Sequence, residues 1–208
     1  MFINECNNIE NEIKKINMVK ENIQIIKVNK LFSSFLSDSL IIDYNNEYIS
    51  NLSNWINPYQ NKNSKLLYRL SRDGKKISKF HELCDDKGLP TLTLFQTDDG
   101  NKAGIYTPLS WDNKSHTKRD KETFMFNLNR NEVYKKVNDI TASIYFTKDY
   151  GPWTYSFGFS KSMKIIQHCG LCINYAFENG SNILLNNTND SKNFNIIEVE
   201  VYKIIFFY

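Results

Sequence analysis

No stretch of this 208-residue chain stays apolar for the roughly 18 to 20 residues that a bilayer-spanning helix requires. Met1 to Lys20 alternates polar with apolar side chains, so neither a signal peptide nor direct membrane insertion is expected, and the chain reads as cytoplasmic. Charge of one sign is scarce too. The net charge is +3, and lysine and arginine are interleaved with aspartate and glutamate along the chain, which leaves no nucleic-acid footprint in the composition. The four cysteines are unevenly spaced, with Cys6 in a polar leader; they do not make a disulfide framework and read as reduced thiols. Gly-x-Ser-x-Gly, a Walker A loop and Gly-x-Gly-x-x-Gly are all missing, so an enzyme has no recognisable constellation and none is expected.

What is present suffices for one well-buried core, since 41% of residues are hydrophobic and 14% aromatic. The pattern changes near residue 35, which divides the chain into an N-terminal helical segment, 1–35, and a principal domain, 36–208. In the first, Ile9, Ile13, Ile16 and Ile23 fall on one amphipathic helical stripe, and Lys20 occupies the place where a further apolar residue would sit. A helix docking on its own domain is the simpler reading; weak self-association through residues 9–26 is the alternative.

In the second part, "SDSLIIDYNNEYISNLSNWI" spaces Leu40, Ile41, Tyr44, Tyr48, Leu52, Trp55 and Ile56 at helical steps up to Pro58, which predicts one or two packed helices. "KLLYRLS" reads as a strand leaving through a reverse turn at "RDG". Ile77, Phe80, His81, Leu83 and Cys84 form a short helix, with Ser78 or Asp73 to cap its start, Gly88 to take the left-handed position after it, and Pro90 to stop it. From Thr91 to Thr97 the period switches to two, with Leu92 and Leu94 on one side and Thr91, Thr93 and Phe95 on the other, and Asp98-Asp99-Gly100 turns the strand.

Strands follow over 103–106, 122–129 and 142–149, in "MKIIQ" and "INYAF", and at the end of the chain, where Ile197, Val199 and Val201 share a face opposite Glu198 and Glu200. A polar surface excursion is expected over 179–193. The fold class is α+β and mainly β: a two-sheet antiparallel β-sandwich flanked by short helices, with the N-terminal amphipathic helix in front.

The ordered series "LLYRLSRDGKKISKFHELCDDKGLPTLTLFQTDDG", "GIYTPLSW", "ETFMFNL" and "IIEVEVYKI" resembles a TLDc domain, the module of the oxidation-resistance protein family, over roughly residues 36 to 205. The matching positions are Ser71, Arg72, Asp73, Gly74, Phe80, Cys84, Gly88, Gly104 and Glu200. The resemblance implies a β-sandwich with no agreed catalytic activity and no cofactor. It further implies a role in oxidative-stress resistance and binding to peripheral subunits of the vacuolar proton ATPase, with recruitment to the surfaces of acidic organelles. Two departures stand out. Gly104-Ile105 replaces a frequent Gly-Gly before Tyr106-Thr107, and "YGPWTYSFGFSKS" lacks the Gly-rich turn usual after Gly-Pro.

Three chemical alternatives remain beside this reading. His81 and Cys84, three apart on a helix, and His168-Cys169 with Cys172 offer zinc ligands in principle, although only one C-x-x-C exists. The plainer reading makes Cys84 a small core residue, His81 a hydrogen-bonded flank, and Cys169 and Cys172 strand residues. A thiol-redox role would need a lowered thiol pKa; Cys84, near a helix C-terminus beside Asp85 and Asp86, is a poor nucleophile, and Cys169 beside His168 is the better candidate. Glu198 and Glu200 share a strand face and could do acid/base work. The plainer reading places them on the solvent face or hydrogen-bonded to loop amides.

Overall fold

The computed structural model describes residues 12–21, 35–88, 90–112, 114, 116–135, 144–152, 154, 157–159, 165–167 and 195–207. Residues 12–21 are helical (α1), and each of them is exposed, so the described part of this helix does not dock on the domain as the simpler reading expected. Ile13 and Ile16 share one side of it, and Lys20 falls between them on that same side.

Residues 35–44 are a succession of turns, not the first half of a helix. The reason is local competition for backbone donors: Glu200 takes the Leu40 amide and the Ser39 hydroxyl takes the Ile42 amide, groups that a helix would have used. Leu36, Asp43 and Tyr44 adopt positive φ. Phe35, Leu36, Ile41 and Ile42 are buried, whereas Leu40 and Tyr44 point to solvent. Helix α2, Asn46–Ile56, starts where the Asn45 side chain accepts from the amides of Glu47 and Tyr48. It stops at Asn57, which is extended because Pro58 disfavours a helical residue before it. The Lys62 ammonium donates to the Asn57 carbonyl at 2.6 Å and to the Ser53 carbonyl at 2.9 Å, the latter shared with the Asn57 amide.

Strand β1, Asn61–Arg69, runs into α3, Leu70–Asp73, a single helical turn where a reverse turn was expected, closed by Gly74 at φ 84°. Helix α4, Ile77–Cys84, follows. Neither expected cap serves it. Lys76 stands at the cap position without a side-chain bond, because the Asp73 carboxylate is engaged by Arg69 and Arg72 and Ser78 lies inside the helix. Gly88 has φ 91° but sits beyond the helix end, and Asp86 takes the nearer left-handed position.

The strands β2 (Thr91–Thr97), β3 (Lys102–Thr107), β5 (Phe124–Asn127), β6 (Glu132–Lys135) and β10 (Ile196–Phe207) join β1 in an antiparallel sheet ordered β1-β10-β2-β3-β5-β6. Strand β4 (His116–Lys118) pairs β7 (Ile144–Phe146), and β8 (Phe157–Phe159) pairs β9 (Ile165–Gln167). The mainly β, antiparallel class with a few short helices is as expected; the described strands form one open six-stranded sheet and two two-stranded pairs, and a second full sheet is not among them.

Both faces of the large sheet are covered, which is why its strands are apolar on alternate residues of both parities. One face sets Leu92, Leu94, Phe126, Tyr202 and Ile204 against residues 35–42 and α2. The other sets Phe95, Ile105, Met125, Val199 and Val201 against α4, Trp111, Ile144 of β7 and Phe159 of β8. Phe95 and Phe159 meet edge to face at 5.7 Å, so β8 is seated directly on β2. The series "INYAF" and the excursion 179–193 lie outside the described residues.

Candidate functional site

Among the described residues, a dense polar cluster is built where β1, α3 and β10 meet the entry segment. Arg69 ends β1 directly opposite Glu200 in the sheet register. Glu200 is fully buried, and its carboxylate accepts from Arg69 Nε at 2.8 Å, Ser39 Oγ at 2.5 Å, the Leu40 amide at 2.9 Å and Tyr202 Oη at 3.4 Å. The remaining guanidinium edge donates to the Asp38 carbonyl. Burial works against the Arg69 charge, but the Glu200 charge and hydrogen bond outweigh it and raise the Arg69 pKa. Tyr202 is pushed upward as well, by burial and then by Glu200, so its phenol stays a donor.

The Ser-Arg-Asp-Gly turn is anchored on the same strand. The Ser71 amide donates to Glu198 at 3.1 Å, and the Tyr68 hydroxyl to the Gly74 carbonyl at 2.7 Å. Asp73 accepts the Arg69 amide at 2.8 Å and two Arg72 donors at 2.9 and 2.8 Å, while Arg72 also reaches the Leu67 carbonyl. Both Glu198 and Glu200 are thus buried, not on a solvent face; Glu200 accepts the Leu40 amide of the entry turns and Glu198 the Ser71 amide in the first turn of α3. A carboxylate whose acceptor sites are met by four donors has none left for a substrate proton. The cluster ties the chain entry, the first strand and the last strand together.

Burial raises the Asp73 pKa, but the bonds from Arg72 and the Arg69 amide, with the charge of Arg72, lower it more, and the net direction is down. A folded value below the unfolded one contributes stability at pH above the usual carboxylate range, lost as pH falls through the folded value. Asp73→Asn is therefore expected to be less stable than the parent at neutral pH, with the gap closing below about pH 4. Urea unfolding of both chains across that range measures it.

In α4, Phe80 is fully buried and meets Tyr68 and Trp111 edge to face at 6.1 and 5.9 Å. His81 Nε2 donates to the Tyr150 carbonyl at 3.0 Å, and Nδ1 lies 3.0 Å from Asp85 Oδ2. Both ring nitrogens already have oxygen partners inside the fold, so neither is turned outward as a metal ligand. Cys84 is buried in the core beneath the helix; burial, then Asp85 and Asp73, push its thiol well up, away from the thiolate. The structure therefore withdraws His81 and Cys84 from the zinc reading. His168, Cys169 and Cys172 lie outside the described residues, and among the described residues no three His, Cys, Asp or Glu side chains gather to hold a metal ion.

Gly104 is held by contact. It lies between Leu94 of β2 and Phe126 of β5, and a Cβ there would fall 2.2 Å from the Thr93 carbonyl oxygen and 2.4 Å from Phe126 Cζ. Its neighbour Ile105 is fully buried on the opposite face. A side chain fits at 105 and not at 104. Elsewhere, a cavity of about 290 Å³ opens between the end of α2 and β3, β5 and β6, walled by Trp55, Tyr106 and Phe124 with Lys121, Glu122 and Lys135 around it. None of the signature positions lines it.

A family model, the TLDc domain, matches residues 35–205. The chain belongs to the TLDc family. No curated protein matches the chain. Within this TLDc domain the signature positions named from sequence converge in two places: Ser71, Arg72, Asp73 and Gly74 at the surface end of the polar cluster whose buried member is Glu200, and Phe80 and Cys84 in the core under α4. Gly88 stands apart, beside the Lys203 ammonium. Sequence reasoning missed Arg69 and Ser39 as the partners of Glu200. The available signal was Arg69 itself, a lone cation in the apolar run "LLYRL", which burial requires to be paired. Among the described residues no helix is long and apolar enough to cross a membrane.

Proposed function

We propose that this chain is a non-catalytic TLDc interaction module that binds the peripheral sector of the vacuolar proton ATPase, regulates its assembly and contributes to oxidative-stress resistance. The observation that carries this reading is the family match across residues 35–205. The chemistry of the site supports it: the signature residues Glu200, Asp73 and Cys84, with their neighbours Arg69 and His81, are all committed to partners or core inside the fold, which leaves recognition to the outer surface. The module works in the cytoplasm and is recruited to the surfaces of acidic organelles. The family's two-sheet sandwich belongs to the same reading, with β4–β7 and β8–β9 as parts of the second layer over Phe95, Ile105 and Val199.

The test is affinity purification of the tagged full chain from its own cell extract, with the co-purifying proteins identified by mass spectrometry. Peripheral subunits of the proton pump are expected above the level of a tag-only control. Their absence, with the chain folded and abundant, would sink the pump reading.

A further inference from the structure

Ser78 stands exposed in the first turn of α4, and its hydroxyl bonds to nothing among the described residues. Two exposed lysines precede it, Lys75 three residues before and Lys76 two residues before. Among the described residues no other serine or threonine has a cation at both of these places. We propose that Ser78 is a phosphorylation site, read by a serine/threonine kinase that selects cations on the N-terminal side of its acceptor.

Charge spacing of this kind separates substrates, because an acidic groove beside the kinase active site pairs with the cations and rejects acceptors preceded by acids. The neighbouring Ser71 lacks that pattern. It has one cation in the same window, Arg69, whose guanidinium is held by Glu200 at 2.8 Å. A kinase also needs its acceptor segment extended. Lys76 already has an extended backbone and stands at the cap position without a side-chain bond, so opening the first turn of α4 breaks no side-chain cap. Lys75, Lys76 and Ser78 are all exposed, and Ile77 alone has to leave the core.

In the reaction the γ-phosphoryl group of ATP passes to Ser78 Oγ: its bond to the β-phosphate oxygen breaks, the Oγ–P bond forms, the hydroxyl proton is released and ADP leaves. The product carries close to two negative charges at neutral pH. In the first turn of a helix that charge lies at the positive end of the dipole, and here it is added between Lys75, Lys76 and Lys79. Lys79 bonds Glu82 at 2.7 Å, but the Glu82 side chain is 63% exposed, so this pair is readily exchanged for the phosphate. Phosphorylation thus tightens α4 and cancels most of the positive charge carried by residues 72–79.

The test incubates the purified full chain with ATP and the catalytic subunit of cyclic-AMP-dependent protein kinase, and locates phosphate by mass spectrometry of proteolytic peptides. Ser78 is expected to be the principal acceptor. Ser78→Ala should take up at least about tenfold less phosphate, and Lys75→Glu/Lys76→Glu should slow the reaction by about tenfold or more. Circular dichroism of these variants should match the parent, since all three positions are exposed. Tm of the phosphorylated chain should rise by about 2 °C. A chain that takes up no phosphate would overturn the proposal. So would uptake undiminished in Ser78→Ala, uptake indifferent to the lysine reversals, or a Tm that stays or falls on phosphorylation. None of these outcomes bears on the pump reading, which the co-purification tests by itself.

Discussion

Gly104→Ala is expected to lower the stability of the domain by at least about 3 kcal/mol, a fall in Tm of roughly 6 to 12 °C for a chain of this size. The added methyl would lie 2.2 Å from the Thr93 carbonyl oxygen and 2.4 Å from a carbon of the Phe126 ring. The ring could rotate away. The carbonyl cannot, because Thr93 pairs with Val201 and Ile105 in the middle of the sheet, and moving it disturbs the ladders on both sides of β2. Phe126 also seals the face beneath α2, where it meets Trp55 at 5.9 Å. Ile105→Ala, next door, should cost the ordinary 2 to 5 kcal/mol of a deleted buried side chain, by leaving a cavity instead of a clash. Differential scanning calorimetry of the two variants separates these causes: filling the cavity with Ile105→Val recovers most of the loss at 105, whereas no side chain recovers it at 104.

Glu200→Ala is expected to cost about 3 to 5 kcal/mol, because it leaves a guanidinium, a hydroxyl and a backbone amide buried without their acceptor. Removing the carboxylate also frees residues 35–44. Leu36, Asp43 and Tyr44 hold positive φ in that segment, a backbone that persists only where its surroundings over-determine it. Hydrogen exchange at the Leu40 and Ile42 amides should therefore accelerate far more than exchange in β2. A double-mutant cycle with Arg69→Met should return a coupling of about 1 to 3 kcal/mol between positions 69 and 200. Additive costs, or exchange at Leu40 and Ile42 unchanged in Glu200→Ala, would mean that the cluster does not hold the entry segment in place.

Regular elements were legible wherever a period and a stop coincided. Strand β2 has the bounds read for it, since Leu92 and Leu94 alternate with Thr91, Thr93 and Phe95 between Pro90 and Asp98-Asp99-Gly100. The alternation of Val199 and Val201 with Glu198 and Glu200 was likewise visible in β10. The turns over 35–44 were not, because the groups that undo a helix there are supplied by Glu200, some 160 residues further on. Strands β4, β6 and β8 run three or four residues, too few for a period to register. The candidate site was half legible. Glu200 and the Ser-Arg-Asp-Gly turn stood out by resemblance, but their junction depends on β1 pairing antiparallel to the last strand, which places Arg69 opposite Glu200. Gly104 could be picked out as a signature position, while its reason lies in Thr93 and Phe126, each brought beside it by the sheet.

The most direct test of the central claim, that this TLDc domain acts by binding and not by chemistry, is to sediment the purified full chain with the purified peripheral sector of the vacuolar proton ATPase. Saturable co-migration at a fixed stoichiometry, retained in Cys84→Ala, is the expected result. A chain that sediments alone at every ratio tested, while its unfolding shows it to be intact, would contradict the account.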